Sequence, residues 1–243
     1  MLFKIATCVW VGPRSVGRGS FYLQPLSLHK TRQLTALNTN AYKTANTLSI
    51  LLGTLLLLFS NLGGKEELFL LLNGNLGSIA DYFFAAFTYA GDGILWVPVS
   101  LYFIFFKRRW VPLIISAILF STLFVQVGKK VIYPNEARPT AAIEATSTNP
   151  IHTVKGVTVH TSNSFPSGHT TTAFSLFLLG TLVIPYRYFW IPGIAMAILA
   201  GYSRVYLAQH FPLDVGAGIF CAVISIRISI LIQQWADSRK KSA

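Results

Sequence analysis

The chain has 243 residues, of which 53% are hydrophobic and only 12% are charged. Because soluble domains carry about a quarter charged residues, this composition excludes an ordinary soluble domain and favours a polytopic membrane protein. The formal net charge of +12 at pH 7 could suggest nucleic-acid binding, but much of the excess flanks apolar stretches, as the positive-inside rule expects of cytoplasmic segments.

The chain divides into two basic ends and an apolar middle. Residues 1–43 contain no acidic residue and are interpreted as a basic cytoplasmic tail, although their composition also resembles a transit peptide. A transmembrane domain is predicted over residues 44–237. A short basic tail is predicted over residues 238–243.

The predicted fold class is all-α, a polytopic membrane bundle of about six transmembrane helices with an extra interfacial helix. Residues 66–90 are apolar but contain Asn73-Gly74-Asn75, which favours an interfacial or re-entrant segment over a full span. The segment 94–106 is short for a bilayer, so we expect its helix to begin before Asp92 or the bilayer to thin there. The predicted spans are residues 44–62, 94–106, 110–127, 170–184, 189–202 and 213–235.

Six spans place both chain ends on one side of the membrane. With the basic tail inside, the loops that contain Lys107–Arg109 and Arg187 are cytoplasmic, and loops 63–91, 129–169 and 203–213 face outward. The outward loops hold most of the polar residues that this rule does not explain. Ionisable groups at membrane level are costly and usually functional, so we expect the active residues there.

Two segments bring histidines to the starts of predicted helices. Pro166-Ser167-Gly168-His169 precedes an apolar run, and exposed backbone amides at such a helix start form an anion site. The second segment runs from Ser203-Arg204 to His210 and Asp214. Its carboxylate, four residues after the imidazole, is within reach of one ring nitrogen and would leave the other free to attack.

The third outward segment supplies two cations, Lys130 and Arg138. Each alone reads as a solvated loop residue, but with Arg204, the two histidines and Asp214 they form a set suited to a phosphate. Asp214 is the only carboxylate near these histidines, so no metal site is predicted. Phosphoryl transfer without a metal requires cations and amides to neutralise the phosphate oxygens.

These residues resemble the signatures of the type 2 phosphatidic acid phosphatase (PAP2) family, over about residues 90–235. Pro166–His169 matches the family's Pro-Ser-Gly-His signature completely, and Ser203–Asp214 matches Ser-Arg-x5-His-x3-Asp. The chain departs from the remaining signature, Lys-x6-Arg-Pro. Arg138-Pro139 is present, but Val131 stands at the lysine position. The role is assigned to Lys130, one residue earlier, with Lys129 as the weaker candidate.

The resemblance implies a mechanism. His210, oriented by Asp214, would attack phosphorus to give a phosphohistidine, and His169 would protonate the leaving oxygen. The phosphoryl oxygens would be held by five groups: Lys130, Arg138, Ser167, the Gly168 amide and Arg204. No metal or other cofactor is implied.

Three other functions are considered: the first remains open, and the sequence argues against the other two. A lipid phosphotransferase would use the same phosphohistidine and differ only in the acceptor. A transporter with a basic vestibule is disfavoured because its polar residues would lie near the bilayer midplane, where these spans are apolar. A vanadium haloperoxidase shares the motifs, but the predicted membrane spans argue against it.

The expected partners are the lipid bilayer and a phosphorylated lipid, and not nucleic acid. The candidate substrates are phosphatidate, phosphatidylglycerol phosphate, undecaprenyl diphosphate and lipid A. We expect an integral protein of a bacterial inner membrane, with the active site on the periplasmic or exterior side. His152, Lys155 and His160, between Arg138 and Pro166, could help to select the headgroup.

Overall fold

The computed structural model describes residues 37–144 and 150–242. The regular structure within these residues is helical throughout, which confirms the predicted all-α class. The helices are α1 (Thr39–Leu62), α2 (Lys65–Leu72), α3 (Ser78–Phe87), α4 (Trp96–Phe106), α5 (Val111–Val127), α6 (Pro139–Glu144), α7 (Gly168–Val183), α8 (Trp190–Tyr206) and α9 (Pro212–Ser242).

The helix starts follow from local sequence chemistry. Asn38 caps α1 by accepting a hydrogen bond from the Ala41 amide, and Ser167 caps α7 by accepting one from the Thr170 amide. Pro212 is the first residue of α9, where proline's fixed φ and missing N–H cost nothing. Two of these starts, those of α7 and α9, carry the signature residues.

The domain boundaries at residues 43 and 237 stay a prediction, and the helices at the two chain ends run across them. The predicted tail, residues 1–43, lies largely outside the described residues, but its last part is helical because α1 begins at Thr39. At the other end α9 continues to Ser242, past the boundary predicted at residue 237. Its last basic residues therefore extend the helix that crosses the core.

The bundle is organised around α9, which packs on α1, α5 and α7, while α7 also packs on α8. Small residues allow close approach of the backbones where α9 crosses α1: a Cβ on Gly216 would lie 3.1 Å from the carbonyl oxygen of Gly53. Such close approach is how helices associate in lipid, where hydrophobic exclusion gives little net gain. Buried Phe174, Leu178 and Ile219 fill the centre of the bundle.

Membrane crossing is supported for part of the predicted set. Three helical stretches are long and apolar enough to span a bilayer: Thr39–Leu62, Arg108–Ile132 and Pro212–Lys240. The pair Ser78–Gly91 and Gly93–Phe106, bent by 48°, adds a fourth if it counts as one broken span. Helices α7 and α8, with 16 and 17 residues, are shorter than the ~20 residues that a perpendicular span needs. A membrane helical bundle is confirmed; six crossings are not established.

The bent pair explains the short span predicted at residues 94–106. Asp92 has an extended backbone, and its carboxylate accepts a hydrogen bond from the Ile94 amide at 3.0 Å. The apolar stretch therefore continues through α3 and α4 with a break at Asp92, as expected from its length. Residues 66–90, predicted as one interfacial or re-entrant segment, form two helices, α2 and α3, of which α3 leads into the bent pair. Exposed Leu71 on α2 suits an interfacial position for that helix.

Candidate active site

The start of α7 presents backbone amides to the site. The Ser167 amide donates to the Asp214 carbonyl oxygen at 3.0 Å, which ties the starts of α7 and α9 together. The Ser167 hydroxyl oxygen accepts hydrogen bonds from the amide and hydroxyl of Thr170, so its own proton remains available for a ligand. Within the described residues the amides of Gly168 and His169 have no protein acceptor, as expected in a first helical turn.

His210 and Asp214 are brought together at the junction of α8 and α9. The His210 Nδ1 atom lies 3.4 Å from Asp214 Oδ2, and the two residues are 2% and 1% exposed. The same oxygen accepts the Phe211 amide at 2.9 Å and the hydroxyl of Ser164. The carboxylate is thus fixed beside one ring nitrogen, and the opposite nitrogen, Nε2, is the one available for attack.

Arg138 is held rigidly by the surrounding backbone. Its Nε atom donates to the Ser162 carbonyl oxygen at 2.9 Å, and Nη1 donates to both the carbonyl and the side-chain oxygen of Gln209, at 3.0 and 2.9 Å. The Gln209 amide group in turn donates to the Thr158 carbonyl oxygen. These bonds fix the guanidinium plane, and Nη2, which has no hydrogen-bond partner among the described residues, could bind a phosphate oxygen.

Arg204 brings a second guanidinium from the last turn of α8. Its Nη1 atom donates to the Thr88 hydroxyl at 2.6 Å, while its Nε atom is buried and has no hydrogen-bond partner among the described residues. A buried guanidinium N–H without an acceptor is costly. A bound anion would satisfy it.

The structure places Lys129, and not Lys130, at the site. Residues Gly128–Ile132 form a π-helical turn after α5, a wider turn that is often found at functional sites. Lys129 is half-buried and donates to the Asn163 carbonyl oxygen at 2.8 Å, whereas Lys130 is exposed. The geometry therefore favours Lys129 over Lys130, the sequence assignment, as the lysine that belongs to this cluster.

The positive groups converge on His210. Burial lowers the pKa of His210 well below its ordinary value of 6.5, and the charges of Arg138, Arg204, Lys129 and His169 lower it further. The imidazole is therefore neutral near pH 7, the form that a nucleophile requires. His169 interacts with the same three cations and with Asp92, so both predicted histidines belong to one charged cluster.

A cavity of about 200 Å³ opens beside His169, between α5, α7 and the turn at residues 91–93. Gly91 packs directly on the first turn of α7, because a Cβ at this position would lie 2.7 Å from the His169 carbonyl oxygen. The cavity provides space next to the second histidine for part of a substrate.

The segment after residue 150 contributes groups that the sequence did not reveal. Ser164 bonds Asp214, while Ser162 and Asn163 offer their carbonyl oxygens to Arg138 and Lys129. Ser164 lies two residues before Pro166, so the only sequence feature that could have indicated its role is its closeness to the Pro-Ser-Gly-His signature. Gln209 occupies one of the five unspecified positions of the Ser-Arg-x5-His-x3-Asp signature, and no sequence feature indicated its role.

The two histidines of the loop between Arg138 and Pro166, His152 and His160, do not belong to the charged cluster around His210. The His152 Nε2 atom lies 2.9 Å from Asp81 Oδ1, an atom that also accepts the Tyr206 hydroxyl, so His152 fastens this loop to α3 and α8. Lys155 and His160 are exposed. In residues 37–144 and 150–242, no group of three or more His, Cys, Asp and Glu side chains could hold a metal ion.

Comparison with known proteins identifies relatives of this chain. The model of the PAP2 superfamily matches residues 110–238. An undecaprenyl-diphosphatase of Sulfolobus acidocaldarius is 32% identical over 165 residues, covering 65% of this chain and 73% of that protein. A lipid A 4'-phosphatase of Porphyromonas gingivalis is 27% identical over 178 residues, covering 72% and 75%.

A solved structure supports the same relationship. The crystal structure of Aquifex aeolicus LpxE superposes with a TM-score of 0.58 at 30% sequence identity, covering 68% of this chain and 93% of that chain. Residues 110–238, which the family model matches, hold both complete signatures together with Lys129 and Arg138. The chain therefore belongs to the PAP2 superfamily and is a phosphatase of the PAP2 type.

Proposed function

We propose that this protein is a metal-independent lipid phosphate phosphatase that forms a phosphohistidine on His210. The observation that carries the proposal is the neutral, buried imidazole of His210, beside Asp214 and among Lys129, Arg138 and Arg204. A phosphoryl group placed between these cations would have its charge neutralised by the protein alone.

In the first step His210 Nε2 attacks phosphorus and the bond from phosphorus to the lipid oxygen breaks. The Nδ1 proton stays hydrogen-bonded to Asp214, which stabilises the charge that develops on the ring. Burial and the nearby cations lower the pKa of His169 to about 4, and the negative charge of bound phosphate raises it again, so that His169 gives its proton to the leaving oxygen. Water then attacks the phosphohistidine, His169 accepts a water proton, and His210 is released as neutral imidazole with inorganic phosphate.

The surroundings of the site support a lipid as substrate. Two apolar cavities of about 310 and 450 Å³ follow α7 away from its first turn. Both are lined by Leu176 and Phe189, and the second is walled by α4 and reaches Lys107 near the far end of the bundle. A hydrocarbon chain linked to a phosphate at His210 could occupy this side of α7.

The directions of the helices support an outward-facing site. The site lies at the end where α5 ends and α7 and α9 begin. The basic groups at residues 107–109 and 187 lie at the other ends of α5 and α7, and Arg109 pairs with Asp237 in the last turns of α9. With those groups in the cytoplasm and six crossings in all, the site faces the periplasm or exterior of a bacterial inner membrane.

The test is phosphate release by detergent-purified protein from phosphatidate, phosphatidylglycerol phosphate, undecaprenyl diphosphate and lipid A. We expect phosphate release from at least one lipid. When the substrate carries radioactive phosphorus, we also expect the protein to become labelled, with a label that is stable in base and labile in acid. The His210→Gln variant should lose both activity and label, while Gln234→Leu, an exposed position on α9, should retain both. Detection of the radioactive label on the His210→Gln variant, or near-normal turnover by that variant, would disprove the assignment of His210 as the nucleophile.

A further inference from the structure

An ion pair outside the charged cluster joins the start of α2 to the segment that follows the π-helical turn. Lys65 is the first residue of α2, and its Nζ atom lies 2.8 Å from Glu136 Oε1. Both side chains are 35% exposed, so each is partly shielded from solvent. Neither residue stands at a fixed position of the three signatures, and no step of the proposed mechanism uses either one.

The cation of this pair contacts the residue that follows the nucleophile. Lys65 Nζ lies 4.9 Å from the centroid of the Phe211 ring, a distance at which a cation is attracted to the face of an aromatic ring. Phe69, also on α2, meets the Phe211 ring edge to face, with the two centroids 5.6 Å apart. Both phenylalanines are buried. Helix α2 therefore holds the Phe211 side chain with a charge and an aromatic ring.

The anion of the pair belongs to the residue that holds Ser164. The carbonyl oxygen of Glu136 accepts a hydrogen bond from the Ser164 amide at 3.0 Å. Ser164 is fully buried, and its hydroxyl donates to Asp214 Oδ2. A displacement of residue 136 therefore reaches the Asp214 carboxylate through a single intervening residue.

Both donors to Asp214 Oδ2 are thus attached to the ion pair. The Ser164 hydroxyl and the Phe211 amide donate to this oxygen, which lies 3.4 Å from His210 Nδ1. Ser164 is bonded to the backbone of the anionic partner, and the Phe211 ring contacts the cationic one. The ion pair therefore connects two parts of the chain that are 71 residues apart in sequence and that both orient the same carboxylate.

The energy of such a pair indicates an effect on position more than on stability. A partly exposed ion pair stabilises a fold only slightly, because water and salt screen its charges. Catalysis is more sensitive, since a displacement of ~1 Å in a reacting group can reduce the rate on the order of 100-fold. The pair should therefore affect attack by His210 more than it affects folding.

We propose that Lys65 and Glu136 are positioning residues for the nucleophile. Their ion pair holds both hydrogen-bond donors on the Asp214 carboxylate and thereby keeps the imidazole of His210 directed at phosphorus. The inference rests on the proposed function, in which His210 attacks. It makes catalysis depend on α2, which precedes the residues matched by the family model, 110–238.

The test measures the first chemical step, transfer of radioactive phosphorus to the purified full chain, by rapid quenching with the lipid that the wild-type protein hydrolyses fastest. We expect Lys65→Met to slow labelling about fivefold at saturating substrate, with the half-saturating concentration within about twofold of wild type. Its thermal unfolding midpoint in detergent should stay within about 3 °C of wild type. Lys65→Arg keeps the charge and its attraction to an aromatic ring, and should label within about twofold of the wild-type rate. Lys43→Met, at an exposed position on α1, is the matched control and should label at the wild-type rate.

A double-mutant cycle tests the connection between the two residues. Glu136→Gln removes the charge and keeps the backbone carbonyl oxygen that Ser164 uses, so it should slow labelling to a similar extent. Because both substitutions break the same contact, the double variant Lys65→Met/Glu136→Gln should be about fivefold slower than wild type, and not about 25-fold slower.

Labelling at the wild-type rate in Lys65→Met, or losses that multiply in the double variant, would overturn the positioning role and leave the phosphatase intact. A slower rate that comes with a large fall in the unfolding midpoint, and that Lys65→Arg does not recover, would likewise overturn it in favour of a purely structural role. Phosphate release by the wild-type protein without any label on it would instead overturn the phosphohistidine of the proposed function, and this inference with it.

Discussion

Ser164 and Asp214 are joined by a buried hydrogen bond, in which the serine hydroxyl donates to the carboxylate oxygen that faces His210. Both residues are inaccessible to solvent, with Ser164 0% and Asp214 1% exposed. The Phe211 amide donates to the same oxygen. The carboxylate is therefore positioned from two directions, and Ser164 extends the pair of His210 and Asp214 by one buried hydroxyl.

Replacing Ser164 with alanine should impair chemistry more than binding. Loss of a buried hydrogen bond to a carboxylate costs about 1.5–3 kcal/mol, and we expect kcat to fall at least tenfold with little change in KM. Steady-state phosphate release measures both quantities. Ser162→Ala is the matched control, because Ser162 contacts Arg138 through its backbone carbonyl oxygen, and its hydroxyl accepts a long, exposed hydrogen bond of 3.5 Å from the Asn163 side chain. Equal loss in the two variants would contradict a specific role for Ser164.

Substitution of the two adjacent lysines after α5 should have very different effects on activity. Lys129 is tied to the Asn163 carbonyl oxygen and interacts with His210, whereas Lys130 is exposed. We expect Lys129→Met to reduce kcat/KM about 100-fold, the scale for removing one group that stabilises transition-state charge. Lys130→Met should stay within about twofold of wild type, because exposed charges contribute little. The reverse order of effects would restore the assignment to Lys130.

The pattern of apolar runs predicted the helical class and most helix positions, because charge gaps and glycine or proline breaks are local features. It could not settle the number of crossings. The apolar stretches of α7 and α8 are close to the minimum length for a span, and their tilt depends on neighbouring helices rather than on their own residues. The break at Asp92 was similarly visible as a turn, but the angle of its bend, 48°, could not be predicted from the sequence.

At the site, the structure brings together the residues that have fixed signature spacing, whereas contacts that depend on the three-dimensional arrangement could not be predicted from the sequence. His169, Arg204, His210 and Asp214 all belong to the charged cluster. For the lysine, the geometry favours Lys129 over Lys130, because a π-helical turn at Gly128–Ile132 changes which consecutive side chain reaches the cluster, and this turn has no clear sequence signal. Gln209 was missed because its role depends on a contact 71 residues away with Arg138.

Gly91 should be intolerant of a side chain. A Cβ at residue 91 would lie 2.7 Å from the His169 carbonyl oxygen, so Gly91→Ala must displace the first turn of α7 or the turn at Asp92. We expect at least a tenfold loss of kcat/KM, because small displacements of catalytic groups are costly. Gly74→Ala, where a Cβ meets no atom within 4 Å, is the control. Retained activity in Gly91→Ala would show that the contact has no catalytic importance.

Metal chelation should leave activity unchanged. If Lys129, Arg138 and Arg204 neutralise the phosphate, EDTA at millimolar concentration should alter kcat by less than about twofold, since no step requires a Lewis acid. The measurement is phosphate release before and after dialysis against the chelator. A large loss that Mg²⁺ or Zn²⁺ reverses would contradict the metal-independent mechanism.

The buried imidazole of His210 should make the protein less stable in acid. Its pKa in the folded protein lies well below 6.5 because of burial and the surrounding cations, whereas in the unfolded chain it is about 6.5. Above pH 6.5 neither state binds the proton. Below pH 6.5 the unfolded state binds it first, so folding stability falls with decreasing pH, by up to about 1.4 kcal/mol per unit, until the folded pKa is reached. His210→Gln removes this group, so its thermal unfolding midpoint in detergent should fall less than that of wild type between pH 7 and pH 5. Parallel pH profiles for the two proteins would mean that His210 is not held neutral by the fold.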